Sequence, residues 1–130
     1  MDKTISENED VTRFINQKSY FRSSNKTARH NAFMPNRSGK TSVYRITGIT
    51  DFEIYDIGRR FVAEKQGKPL FGRADLSVSE ILKCRLKVEP DTQPHPRHAN
   101  ICNWPREQSE TKMIAIELAA AARLHLLNSP

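Results

Sequence analysis

Four side chains capable of acid–base or metal chemistry are spread along one part of the chain: Cys84, His95, His98 and Cys102. The last three fall inside the stretch HPRHANICNWP, residues 95–105, which also holds the only tryptophan, Trp104. Three kinds of chemistry suit these residue types. The first is tetrahedral zinc, with a C-x10-H-x2-H-x3-C spacing. That spacing lacks the paired, compact knuckles of a strong zinc signature. If residues 98–104 form a strand, His98 and Cys102 share a face but lie roughly 13 Å apart at about 3.3 Å per residue, too far for one ion. No metal and no cofactor is therefore assigned, and both cysteines read as small buried apolar residues.

The second chemistry is metal-independent cleavage of a phosphodiester. Imidazole titrates near neutral pH, and arginine can hold the phosphate. His30, His95 and His98 are the catalytic candidates. Arg29, Arg73 and Arg97 are the phosphate holders, and Tyr44 can add a hydrogen bond. The third reading is structural. Pro94 and Pro96 impose an extended entry to a strand in which Ala99 and Ile101 alternate with His98, Asn100 and Cys102. One face then packs on helices, Trp104 closes the core, and the His98/Asn100 face is left as a polar surface.

The charge distribution supplies the main functional expectation. The net charge is +6. Residues 11–50 contain no acid and carry Arg13, Lys18, Arg22, Lys26, Arg29, Arg37, Lys40 and Arg45, while the rest of the chain nearly balances. Phe14, Tyr20, Phe21, Phe33 and Tyr44 interleave with these bases. Cations that hold phosphates beside rings that stack on bases suit single-stranded nucleic acid. The expected function is thus a nucleic-acid-binding accessory protein preferring RNA or single strands. Its expected contacts are Arg22, Lys26, Arg29, Arg37, Lys40, Arg45, Arg97, His98 and Asn100. The alternatives are the histidine phosphodiesterase and an interaction module whose arm folds on an acidic protein partner.

Other motifs carry less. RSGKT at Arg37–Thr41 imitates the end of a phosphate-binding loop, but Met34 stands where glycine is needed. Arg73 and Asp75 point the same way in an extended segment and pair with each other. Asp56, Arg59 and Arg60 belong to the solvated side of a helix.

These groups need elements to position them. Thr50 and Glu53 form a capping box, and Ile54, Ile57, Phe61 and Val62 follow at helical spacing up to Gly67 and Pro69. Ser77 and Glu80 open a second, short helix through Cys84. Strands are expected over residues 41–47, 85–90 and 97–104, with an extended piece at 69–76. Pro105 opens a long helix over residues 106–127 that buries Ile114, Leu118 and Ala121 against a sheet holding Val43, Val88 and Ile101. Residues 1–39 read as a weakly structured basic arm, with a helical turn near Asp10–Asn16 that groups Val11, Phe14 and Ile15. The expected fold is α+β: a domain over 40–130 with about four short strands and two main helices.

At 130 residues and 37% apolar content, one domain is expected. No apolar run approaches a membrane span, residues 1–10 lack a signal-peptide core, and two cysteines make no disulfide framework. A cytoplasmic protein with no membrane partner is the expectation.

Overall fold

The computed structural model describes residues 4–127. Its frame is one six-stranded antiparallel sheet in the order β6-β7-β4-β1-β5-β8. The strands are β1 (Asp10–Ile15), β4 (Thr41–Arg45), β5 (Gly72–Ser77), β6 (Lys87–Pro90), β7 (His98–Cys102) and β8 (Arg123–Leu126). A separate hairpin pairs β2 (Phe21–Arg22) with β3 (Thr27–Ala28). The α+β class holds, and the sheet is larger than the four strands expected.

Both faces of the sheet are covered. α1 (Asp51–Ile57) begins at the capping box: Thr50 Oγ1 accepts from the Glu53 amide, and Glu53 Oε1 accepts from the Thr50 amide, each at 3.1 Å. It runs on into π-helical turns over Gly58–Glu64 and stops at Gly67, whose φ of 65° is left-handed. Ile54, Ile57 and Val62 from this unit pack with Phe14 and Tyr44 on one sheet face. On the other face, α2 (Val78–Lys83) and α3 (Gln108–Ala121) contribute Val78, Ile81, Ala115, Leu118 and Ala119. They meet Val11, Val43, Ala74, Leu76, Ala99 and Ile101. Val43, Val88 and Ile101 do share this sheet. Leu118 is buried, and Ile114 and Ala121 lie half-buried against the same core.

Two elements differ from expectation. Asp10–Ile15 is a strand, not a helical turn, and it sits between β4 and β5 in the middle of the sheet. Val11, Thr12, Phe14 and Ile15 are all buried because both faces of a central strand are covered. Residues read as an arm outside the domain therefore include a central strand and Phe33, which is 0% exposed. The long helix stops at Ala121, and residues 123–126 turn back as the edge strand β8 along β5. The R-L-H-L alternation half-buries Leu124 and Leu126 and exposes Arg123 and His125.

The β5–β8 pair depends on Gly72. A Cβ there would collide with the His125 carbonyl and sit 2.8 Å from Leu126 Cα. Since backbone rather than a flexible side chain fills that space, Gly72→Ala is expected to destabilise by roughly 1–3 kcal/mol. Chemical denaturation should show a lower midpoint, and hydrogen exchange should show faster exchange in β8 before the rest of the sheet.

Candidate functional site

The expected contact residues fall into three places. The first is a groove between the β2–β3 hairpin and α3. Register pairs Arg22 with Thr27, and Lys26 takes the left-handed turn position at φ 53°. The far wall is alanine-rich: Ala119, Ala120 and Ala122, with Ile116 beside them. Small side chains there leave a space of about 470 Å³. Arg22, Asn25, Lys26 and His30 line it, and no acidic residue does. Burial, then the charges of Lys112, Arg29 and Arg22, pull the His30 pKa below the ordinary histidine value. Arg22, Lys26, Arg29 and Lys112 make no ion pair among the described residues. Lys112, outside the groove's lining but close enough for its charge to act on His30, is a neighbour that sequence reasoning missed. Its position on α3 opposite a hairpin is a tertiary fact with no local signal.

The second place is the exposed loop before β4. Asn36 Oδ1 accepts from the amides of Ser38 and Lys40, and Gly39 supplies φ 75°. Arg37 and Lys40 project from this closed turn and are exposed. Lys40 lies close enough to Cys102 for its charge to act on the thiol.

The third group points inward. Arg45 is 6% exposed and forks onto Glu9, with Nε and NH2 each 2.8 Å from a carboxylate oxygen. That pairing holds the Glu9 carboxyl below its usual range. Arg97 donates to the carbonyls of Arg45 and Thr47. Asn100 donates to Asp91 Oδ2 at 3.2 Å, and His98 is 7% exposed beneath Tyr44. The polar sheet face expected to meet a ligand is thus covered, because α1 and the loop around Asp91 close over it. Arg73, an expected phosphate holder, is likewise internal: it pairs with Asp51 and Asp75 and stacks under Tyr55. Its pairing with Asp75 follows the expectation for FGRADL. His125 adds a contact to the same carboxylate, with Nε2 3.4 Å from Asp75 Oδ2.

The interleaved aromatics are also redirected. Phe14, Phe33 and Tyr44 are core residues, and Tyr20 and Phe21 pack partly buried against the core. They build the fold and offer no stacking surface in the groove.

The three histidines do not converge. His30 lies in the layer of α3, whereas His95 and His98 lie on the α1 face with Phe61 and Tyr44. Burial, then Arg97 and His98, lower the His95 pKa. His98 instead belongs to a relay that sequence reasoning missed. Its Nε2 is 2.6 Å from Ser42 Oγ and its Nδ1 is 2.9 Å from the Asp91 carbonyl oxygen. Alternation along β4 and β7 places Ser42 and His98 among inward-pointing positions. The strand register that joins them is not written in either segment.

The cysteines are separate, half-buried thiols. Cys84 donates to Glu117 and Cys102 to Glu89. Burial and these carboxylates push both pKa values up to about 11, so both stay protonated at neutral pH. Among the described residues no three His, Cys, Asp or Glu side chains gather as a metal site, and no helix is long and apolar enough to cross a membrane. Comparison with known protein families, with curated proteins and with solved structures returns no match.

Proposed function

We propose that the protein binds nucleic acid as an accessory factor, through the groove between the β2–β3 hairpin and α3. One observation carries this reading: Arg22 and Lys26 line the groove with no acid beside them, the charges of Lys112, Arg29 and Arg22 reach His30 in its wall, and none of these four cations makes an ion pair among the described residues. Like charges held together repel, and an anionic partner relieves that repulsion. A phosphate backbone supplies negative charge at the spacing of a chain and runs along an open groove. No aromatic side chain of the basic segment lines the groove, so recognition rests on phosphates and is tolerant of sequence. RNA or single strands are the form to test first.

The test is a salt titration of full-length protein against a generic single-stranded oligonucleotide. Four phosphate contacts give a slope of about −3 in log affinity against log salt, at roughly −0.7 each. Affinity should also rise as pH falls through the histidine range. The pKa of His30 is depressed in the free protein, a bound phosphate raises it, and binding therefore takes up a proton. No binding at low salt by folded protein, with several sequences tried, would sink this proposal. Binding of an acidic peptide but not of an oligonucleotide would move the groove to the protein-partner reading.

A further inference from the structure

β1 and β4 pair only at Val11–Arg45 and Thr12–Tyr44. β1 continues along β5 to Ile15, and β4 continues along β7 to Thr41, so the two strands part company in between. The guanidinium of Arg13 bridges the gap, donating to the Ser42 carbonyl at 3.1 Å and the Tyr20 hydroxyl at 3.2 Å. A polar cleft of about 110 Å³ opens there, with Arg13, Asn16, Tyr20, Ser42 and Lys68 in its walls and no carboxylate.

The proton positions at Ser42 follow from its partners. The Asp91 carbonyl can only accept, so His98 Nδ1 carries the ring proton. Nε2 is then bare, and the Ser42 hydroxyl donates to it at 2.6 Å. The Asp91 carboxylate lies 3.7 Å from Nδ1 and is steadied by Asn100, so a negative charge stands behind the ring if it becomes protonated. Both ring nitrogens are occupied and His98 is 7% exposed. It can therefore act on a ligand only through Ser42. The cleft adds two features of a binding site. Asn16 is 7% exposed with an Oδ1 that has no partner, and the Lys68 ammonium makes no ion pair among the described residues.

We propose that Ser42 is the nucleophile of an acyl-transfer site, activated by His98 and serving short-chain carboxylic esters. Ser42 Oγ bonds to the acyl carbon while its proton passes to His98 Nε2. The tetrahedral oxyanion forms among the donors of the cleft, the Lys68 ammonium and the Tyr20 hydroxyl. The bond to the alcohol oxygen breaks, and that oxygen takes the proton from Nε2. Water then gives a proton to Nε2 and its oxygen to the acyl carbon. Ser42 recovers the proton as the carboxylic acid leaves. The volume sets the acyl size: at about 30 Å³ per water, the cleft holds only a few heavy atoms. The anionic groove ligand proposed above plays no part in this chemistry.

The probe is p-nitrophenyl acetate, with full-length protein and peptide mapping by mass spectrometry. An acetyl group on Ser42, released with time, is expected. His98→Gln should slow its formation at least ~100-fold, the scale of a lost general base. A Ser42–His98 contact that merely ties β4 to the Asp91 loop would change the thermal melt and leave no acyl adduct. Mapping on the unmodified sequence does not depend on any variant folding. Folded protein with no adduct on Ser42, or equal acetylation of Ser42 in His98→Gln, overturns the proposal.

Discussion

Deleting residues 1–39 should abolish the cooperative thermal transition. A separable arm would leave it intact, but this segment supplies the strand between β4 and β5. Val11, Phe14, Ile15 and Phe33 are each 3% exposed or less. Burial of side chains of this size contributes about 1.5–3 kcal/mol each, so the four together contribute roughly 6–12 kcal/mol. Whole domains are stable by only about 5–15 kcal/mol. The deletion also leaves β4 and β5 with open hydrogen-bonding edges in the middle of the molecule. Circular dichroism during heating reads the outcome directly. A near-native transition in the shortened protein would show that β1 is not a structural strand.

Reversing the groove charges should have the opposite profile, with a large effect on binding and almost none on stability. In Arg22→Glu/Lys26→Glu/Lys112→Glu, two cations that line the groove and one whose charge reaches His30 become anions. Affinity for a single-stranded oligonucleotide at low salt should fall more than ~100-fold, and the salt slope should flatten toward zero. All three side chains are exposed, so each substitution should change stability by no more than about 0.5 kcal/mol. Reversing Arg37 and Lys40 is the internal comparison, because their loop lies outside the groove. If that pair flattens the slope and the groove triple does not, the interface lies on the loop before β4.

Local signals were legible where one short segment determines one outcome. Thr50 and Glu53 satisfy each other's caps within four residues, and Gly67 accepts the left-handed turn that ends the helix. Arg73 and Asp75 meet because a strand repeats every two residues. The failures came from coincidences of period. Val11, Phe14 and Ile15 are spaced like a helical stripe, yet a strand covered on both faces has no polar alternation to reveal it. The β-branched Val11, Thr12 and Ile15 were the better guide. Residues 119–122 have high helix propensity and led the expected helix past Ala121. R-L-H-L beyond it alternates with period two, and the open edge of β5 captured it. The candidate site divided in the same way. Clustered basicity marked Arg22, Lys26 and Arg29, and His30 stood out only for its imidazole, but the contribution of Lys112 depends on how α3 docks. Ser42 and His98 meet through a register between strands 56 residues apart in sequence, which no local pattern encodes.

The place of β1 bears on how the chain is made. β1 leaves the ribosome before either of its partners in the sheet, and it does not pair with its sequence neighbour β2. Its long partner, β5, begins at Gly72, and the outer strand β8 follows only at Arg123. At about 5–20 residues per second, β1 waits several seconds for that partner. Pairings this distant also place the domain among slowly folding topologies. Throughout the wait, a β-branched, aromatic segment is available to others like it. Charges interrupt it, Asp10 at its start and Arg13 between Thr12 and Phe14, as gatekeeper residues do beside aggregation-prone strands. Arg13, which ties β1 to the Ser42 carbonyl of β4 in the finished fold, is thus also the charge inside the segment during that wait.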